Sequence, residues 1–291
     1  MKRNLPGRVS LAVAVAGTAG LLATTPAVAV TPAPLNPCVL RYQTWAASMI
    51  TPPTYTTVIE GTEFADVLPG TPGDDLICAY GEADIVTGGA GNDIVFAGSG
   101  YDDIWGDAGD DHLLVEADGG GAYGGEDDDT LAGQDGDEFL FGDAGNDVII
   151  GSDSGFDHVL DGGADDDDVF GGDSVSNDMR GGDGEDTLVG GAGAVNFMNG
   201  GPDDDRVLGG DGDDELYGGP GDDYLHGYQG ADHVDGQGDA DQVHGGSGDD
   251  LVAGGPGIDS LFGGPDDDDL VGGTGADTCD GGGGVNTFTS C

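Results

Sequence analysis

Aspartate recurs at a fixed spacing within a glycine-rich phrase, as in residues 245–264, GGSGDDLVAGGPGIDSLFGG. Each nine-residue copy opens Gly-Gly-x-Gly, with an aspartate sixth, here Asp250 and Asp259, and an aliphatic residue eighth. Glycines permit positive φ and let the carbonyl groups of a turn approach a shared point. Carboxylate and carbonyl oxygens, with no imidazole or thiolate among them, suit a hard cation with flexible geometry, Ca²⁺ before Mg²⁺. The phrase therefore predicts one calcium-ligating carboxylate every nine residues.

The phrase is one of 25 units that run from Gly61 to residue 289, with a slipped frame in the middle. Position six holds aspartate in 20 units, counting Asp157 in the irregular unit that begins at Gly151. The other units carry Glu138, Asn177, Asn196, Asn286 and, in the unit that begins at Val115, Gly120. The predicted calcium ligands are Asp66, Asp75, Asp84, Asp93, Asp102, Asp111, Asp129, Asp147, Asp167, Asp186, Asp205, Asp214, Asp223, Asp232, Asp241, Asp250, Asp259, Asp268 and Asp277.

The composition taken alone is typical of a disordered acidic chain, because 62 glycines, 58 acidic and only 6 basic residues give a formal charge of −52. Position eight, however, is apolar in every unit, from Leu68 and Ile77 to Leu270. A disordered tract has no reason to keep one apolar residue in phase across 25 units, so we expect an ordered chain when cations are present. The negative charge also disfavours nucleic acid and anionic membranes as partners.

Two structural elements are needed to position these carboxylates. Side chains alternate along a strand, so the residue at position eight faces a core and its two neighbours face outward. Six glycine-rich residues then turn the chain, and two units form one coil of about 18 residues with two short parallel strands back to back. Successive coils lie about 4.8 Å apart, so columns of aspartate at that spacing would repel unless a cation lay between them.

The phrase G-G-x-G-x-D-x-U-x resembles the RTX, or haemolysin-type calcium-binding, nonapeptide repeat, and the likeness covers residues 58–289. The resemblance implies an all-β fold, a right-handed parallel β-roll with several Ca²⁺ ions held between successive turns along both edges. It also implies that the position-six aspartates and the carbonyls of the glycine region are the ligands. The units that begin at Val115, Gly171 and Gly190 depart from the motif.

The first residues form a separate segment. Lys2, Arg3 and Arg8 precede a short apolar run, and Ala27-Val28-Ala29 has the form of a cleavage site, so residues 1–29 are predicted to be a secretory signal peptide. No other stretch is long and apolar enough to span a bilayer. We expect an extracellular protein with a capping segment at residues 30–57, the calcium-binding roll at 58–289, and a short C-terminal end at 290–291.

Four cysteines in an exported chain predict two disulfides, with three possible connectivities. Outward residues of the units at 70, 88 and 106 form an apolar patch that includes Cys78, which favours a bond from Cys38 that draws the N-terminal segment across this face. An exposed partner site on the same patch is the alternative. Cys279 lies at a core position and Cys291 is the last residue, so this pair is predicted to close the final turn.

The five histidines are predicted to face outward, His112, His158 and His233 at position seven and His226 and His244 at position nine. His226 and His244 could stack one coil apart, but no third ligand accompanies them, so solvated surface histidines are favoured over a transition-metal site. A narrow roll with a filled core offers no pocket for nucleophilic catalysis. The sequence therefore predicts a non-enzymatic structural or interaction module, whose cell-surface or protein partner it does not name. The alternative is an accessory or remnant module of a secreted enzyme, toxin or adhesin.

Overall fold

The computed structural model describes residues 36–47, 49, 52–155, 158–192 and 195–291. The predicted signal peptide therefore lies outside the described residues, as does Asp157. The described chain contains one helix followed by 26 strands: α1 (Pro37–Ala46), β1 (Thr57–Glu60), β2 (Val67–Pro69), β3 (Asp75–Gly81), β4 (Ile85–Ala90), β5 (Ile94–Ser99), β6 (Asp102–Ala108), β7 (His112–Val115), β8 (Gly120–Glu126), β9 (Thr130–Gly133), β10 (Glu138–Ala144), β11 (Val148–Ile150), β12 (His158–Ala164), β13 (Asp168–Phe170), β14 (Ser176–Asp183), β15 (Thr187–Val189), β16 (Val195–Asn199), β17 (Arg206–Asp211), β18 (Glu215–Pro220), β19 (Tyr224–Gln229), β20 (His233–Gly238), β21 (Gln242–Ser247), β22 (Leu251–Gly257), β23 (Ser260–Gly264), β24 (Asp269–Gly275), β25 (Thr278–Gly282) and β26 (Thr287–Thr289).

The strands form two parallel sheets of 13 strands each, one from the odd-numbered strands and one from the even-numbered strands in chain order. Each strand pairs with the strand one coil away, and the pairing of Val243 with Leu261 shows the usual step of 18 residues. Longer coils occur in the middle, where Phe139 pairs with Val159. The fold is an all-β parallel solenoid of about 13 coils, as the repeat predicts.

The core is one row of apolar side chains from each sheet. Residues at position eight, such as Leu225, Val234 and Val243, are fully buried and pack in a single continuous cluster. The first and last members of the row from the odd-numbered sheet, Ile59 and Cys279, are only partly buried against it, and Phe288 at the end of the other row is exposed. The core is therefore one side chain thick per sheet, so most of the chain lies in turns or on an outer face.

Helix α1 covers the outer face of the odd-numbered sheet over β3, β5 and β7. Asn36 caps the helix, since its side chain accepts the N–H of Cys38 at 2.8 Å. Trp45 packs edge-on against Phe96 with ring centroids 5.7 Å apart, and Cys38 is joined to Cys78. The apolar patch predicted from the sequence is thus a docking surface for the protein's own N-terminal segment, although a helix in that segment was not predicted.

A second disulfide joins Cys279 to Cys291, so the structure has both predicted bonds and no free cysteine among its described residues. Because β25 contains Cys279, this bond ties the last residue of the chain back to a strand of the final coil. Within the described part of the chain, no helix has the length and apolar character needed to cross a bilayer.

Candidate metal centre

The conformation of the turn depends on glycine at several of its positions. In the turn at residues 245–250, Gly246 and Gly248 have φ of 126° and 128°, a region that side chains disfavour. Glycine is required at position 245 for a different reason, because a Cβ atom on Gly245 would collide with Oδ2 of Asp250. The turn thus folds its own carboxylate back over its first glycine, where a side chain would block it.

Asp250 shows how the position-six carboxylate is held. The residue is only 3% exposed, and its Oδ1 accepts the backbone N–H of Asp232, one coil earlier, at 2.9 Å. Its Oδ2 is buried and has no hydrogen-bond partner. One oxygen therefore fixes the side chain between coils and the other is left for a ligand.

The same arrangement recurs along the roll. Seventeen of the predicted ligands are at most 3% exposed, and the remaining two, Asp66 and Asp277, lie half-buried near the ends. Seventeen aspartates have an Oδ2 that is buried and without a hydrogen-bond partner: Asp84, Asp93, Asp102, Asp111, Asp129, Asp147, Asp167, Asp186, Asp205, Asp214, Asp223, Asp232, Asp241, Asp250, Asp259, Asp268 and Asp277. In the first two turns Oδ2 has a partner, because the backbone N–H groups of Thr62 and Thr71 donate to Oδ2 of Asp66 and Asp75 at 2.6 Å.

A backbone carbonyl oxygen lies beside Oδ2 in ten of these 17 turns. Next to Gly88, the space that a Cβ atom would fill is bordered by Oδ2 of Asp93 and by the carbonyl oxygen of Gly106, one coil later. Both atoms are acceptors, so no hydrogen bond can join them. Buried oxygens that converge without a proton fit a hard cation, which would be held by the carboxylate and the glycine carbonyls.

Burial makes these carboxyl groups hard to ionise in the absence of a cation. It raises the pKa of Asp93 to about 7 and the pKa values of Asp129, Asp167 and Asp205 to about 8. The negative charge of neighbouring aspartates in the same column raises these pKa values further, while the backbone N–H bond opposes the rise. A cation between the coils would remove both causes of the shift.

The structure divides the position-six residues between two edges of the roll. The first edge, whose turns lead into the odd-numbered strands, carries an unbroken row in which each carboxylate accepts the N–H of the previous member: Asp75, Asp93, Asp111, Asp129, Asp147, Asp167, Asp186, Asp205, Asp223, Asp241, Asp259 and Asp277. The second edge, whose turns lead into the even-numbered strands, carries Asp66, Asp84, Asp102, Gly120, Glu138, His158, Asn177, Asn196, Asp214, Asp232, Asp250, Asp268 and Asn286. Aspartate is thus continuous on one edge and interrupted on the other.

The prediction that His158 faces outward is wrong. The side chain of His158 is fully buried, and strand pairing aligns the residue with Asn177 in the position-six column. The extra residues of its unit shift the register by one, so His158 takes the place that the sequence pattern assigned to Asp157. Its Nδ1 contacts Oε2 of Glu138, the neighbouring member of the column.

His226 and His244 do stack one coil apart, with ring centroids 5.3 Å apart. In the described residues, however, no three side chains of histidine, cysteine, aspartate or glutamate converge on a point that could hold a metal ion. The histidine pair therefore gains no third ligand. In the aspartate columns, the other protein oxygens observed beside the unpartnered Oδ2 atoms are backbone carbonyls.

The aspartates at position five have a role that the sequence did not reveal. Asp249 is exposed, yet its Oδ1 accepts the N–H of Asp267, one coil later, at 3.0 Å. Eight more position-five residues do the same: Asp74, Asp128, Asn146, Asp166, Asp204, Asp213, Asp222 and Asp267. Position six binds the coil before and position five the coil after, so adjacent carboxylates tie each turn to both of its neighbours.

The model of one repeat family, the RTX calcium-binding nonapeptide repeat in blocks of four copies, matches residues 60–95, 79–113, 123–157, 172–194, 193–225, 217–252 and 253–288. No curated protein matches the chain with significant similarity. The matched segments cover most of the solenoid, and the geometry of their turns places carboxylate and carbonyl oxygens together as cation ligands would lie. The chain belongs to the RTX calcium-binding nonapeptide repeat family.

Proposed function

We propose that this RTX repeat protein is exported, folds on binding multiple Ca²⁺ ions and serves outside the cell as a structural or interaction module without catalysis. The observation that carries the proposal is the set of 17 position-six aspartates whose buried Oδ2 lacks a hydrogen-bond partner. Leaving so many acceptors unsatisfied in a thin core is costly unless cations bind them. The binding free energy of the ions would then be folding free energy.

Export is supported by the leader-like sequence at residues 1–29 and by the two disulfides, which persist in oxidising compartments. Mass spectrometry of protein recovered from the culture medium tests this part. A mature N-terminus at Val30 is expected, whereas protein retained inside the cell with Met1 or Lys2 at its N-terminus would contradict export.

Calcium-driven folding is tested by far-ultraviolet circular dichroism during a calcium titration, with Mg²⁺ as the control ion. A coil-to-β transition is expected in the weak extracellular range, on the order of 10⁻⁴–10⁻³ M Ca²⁺. It should be cooperative, because each coil contacts only its neighbours, and EGTA should reverse it. A protein that is fully folded in excess EGTA would overturn the proposal.

A further inference from the structure

Five consecutive coils of the second edge lack aspartate at position six, with Gly120, Glu138, His158, Asn177 and Asn196 in its place. The first edge of the same coils retains aspartate throughout. The substitutions are therefore confined to one edge. What replaces the carboxylates there decides whether this stretch needs a cation.

Asn196 places a donor where aspartate places its unpartnered oxygen. Its Nδ2 lies over Gly190, in the space that a Cβ atom would fill, and donates to the carbonyl of Gly209 at 3.2 Å and to Oδ1 of Asp214 at 2.9 Å. The opposite amide orientation would set its oxygen against two acceptors, so the hydrogen-bond network fixes the amino group in this position. The carbonyl that would ligate a cation is thus satisfied by the chain itself.

Asn177 continues this arrangement. Its Nδ2 donates to Oδ1 of Asn196 at 2.8 Å, and its own Oδ1 accepts the hydroxyl of Ser174 at 2.7 Å. The last coil provides an independent example, since Nδ2 of Asn286 donates to the carbonyls of Gly281 and Gly283 at 2.7 Å. At every asparagine of this column, an amide N–H reaches an acceptor that a cation would otherwise hold.

Glu138 and His158, the position-six residues of two neighbouring coils, contact each other through their side chains. Both side chains are fully buried, and Nδ1 of His158 lies against Oε2 of Glu138, which also accepts the hydroxyl of Ser152 at 3.2 Å. The same Nδ1 accepts the backbone N–H of Glu138 at 3.4 Å, and Oε1 of Glu138 is buried without a hydrogen-bond partner. This coil therefore keeps one carboxylate oxygen free, unlike the coils that carry asparagine.

Aromatic stacking joins the coils where this interruption begins. Trp105, Tyr123 and Phe141 lie one coil apart on the outer face of the even-numbered sheet, with ring centroids 5.4 and 5.2 Å apart and planes within 6° of parallel. Such pairs attract neighbouring strands without any ion. The coils that carry Gly120 and Glu138 thus have a cross-coil contact that involves no ion, as the coils of His226, His244 and Phe262 also do.

Resting on the proposed calcium binding, we infer that the second edge holds no calcium in the coils of Asn177 and Asn196, because side-chain N–H donors take the place of the cation there. Calcium then forms one continuous row along the first edge and two separate blocks on the second. One block lies among the coils of Asp66 to Asp102, and the other among those of Asp214 to Asp268.

Crystals of the full chain grown in about 10 mM CaCl₂, above the weak extracellular range, locate the ions directly by anomalous scattering. Peaks along the whole first edge and none beside Asn177 or Asn196 are expected. A peak beside either of these two residues would overturn the inference while leaving the proposed function intact. No peak on either edge would overturn both.

A single substitution tests whether the amide excludes the ion. Asn196→Asp restores a carboxylate that faces Asp214, so equilibrium dialysis should find one additional calcium ion per chain. Asn199→Asp is the matched control, since Asn199 is an exposed residue of the same strand, and it should add none. The inference fails if Asn196→Asp leaves the count unchanged or if both variants raise it equally.

Discussion

Replacing Asp250 by asparagine tests the separate roles of its two carboxylate oxygens. The shape of the side chain is kept, so Oδ1 can still accept the N–H of Asp232 at 2.9 Å, whereas Oδ2, which has no partner, becomes an amino group. In calcium the variant should lose one ion.

The size of the loss follows from linkage. An ion with Kd on the order of 10⁻⁴–10⁻³ M, present at about 10 mM, stabilises the folded state by RT ln(1 + [Ca²⁺]/Kd), about 1.4–2.7 kcal/mol. Urea unfolding of the parent and the variant in about 10 mM calcium measures this difference. Asp250→Ala should cost a further 1–3 kcal/mol or so, because it also leaves the buried N–H of Asp232 without a partner.

Asp249→Asn is the matched control for Asp250→Asn. Asp249 is exposed, and the variant keeps the acceptor for the N–H of Asp267. It should lose no calcium and should change the free energy of unfolding by at most about 0.5 kcal/mol. Equal losses of calcium in the two variants would refute the assignment of position six as the ligand.

Three further outcomes are expected. Without calcium, burial raises the pKa values of Asp93 and Asp129 to about 7 and 8, above the unfolded value of about 3.9. The stabilisation that these protonated acids give is therefore present below pH 4 and is lost as the pH rises through 7 and 8. Circular dichroism in EGTA should show more β-structure at pH 5 than at pH 8, and the reverse would contradict the burial of these acids. Gly245→Ala should weaken calcium binding in calorimetry, because the added Cβ collides with Oδ2 of Asp250; an unchanged ion count would show that the carboxylate does not need this space. Replacing both Cys38 and Cys78 by serine should lower the free energy of unfolding by about 2–5 kcal/mol and increase proteolysis at α1, whereas protection equal to the parent would show that packing alone holds the helix.

The sequence predicted the features that recur at nine residues. An apolar side chain at position eight and an aspartate at position six have one consistent place in a coil. The core, the pairing of Cys279 with Cys291 and the buried carboxylates can therefore be predicted from the position of each residue within the nine-residue repeat. The face that Cys78 shares with its apolar neighbours likewise predicted where the N-terminal segment docks. These are local consequences of a short period repeated many times.

What could not be predicted depends on register and on contacts between coils. The unit that begins at Gly151 has extra residues, and its sequence does not determine whether Asp157 or His158 occupies position six. The buried contact of His158 with Glu138 could therefore not be predicted. The hydrogen bond from Asp249 to the next coil also cannot be predicted from one unit. Asp249 and Asp250 are both aspartates, and the sequence does not distinguish which of the two binds which neighbouring coil. Assigning units alternately to the two edges would have shown that the substituted turns fall together, which is the one signal that counting could have used.

The number of calcium ions bound per folded chain tests the central claim most directly. Equilibrium dialysis at saturating calcium should give a stoichiometry close to one ion for each unpartnered Oδ2 of a position-six aspartate, 17 in the described structure. The same measurement with Mg²⁺ should give few or none, because these sites are built from flexible oxygen ligands. A folded chain that binds only one or two calcium ions would show that its buried carboxylates are not the ligands and would contradict the account.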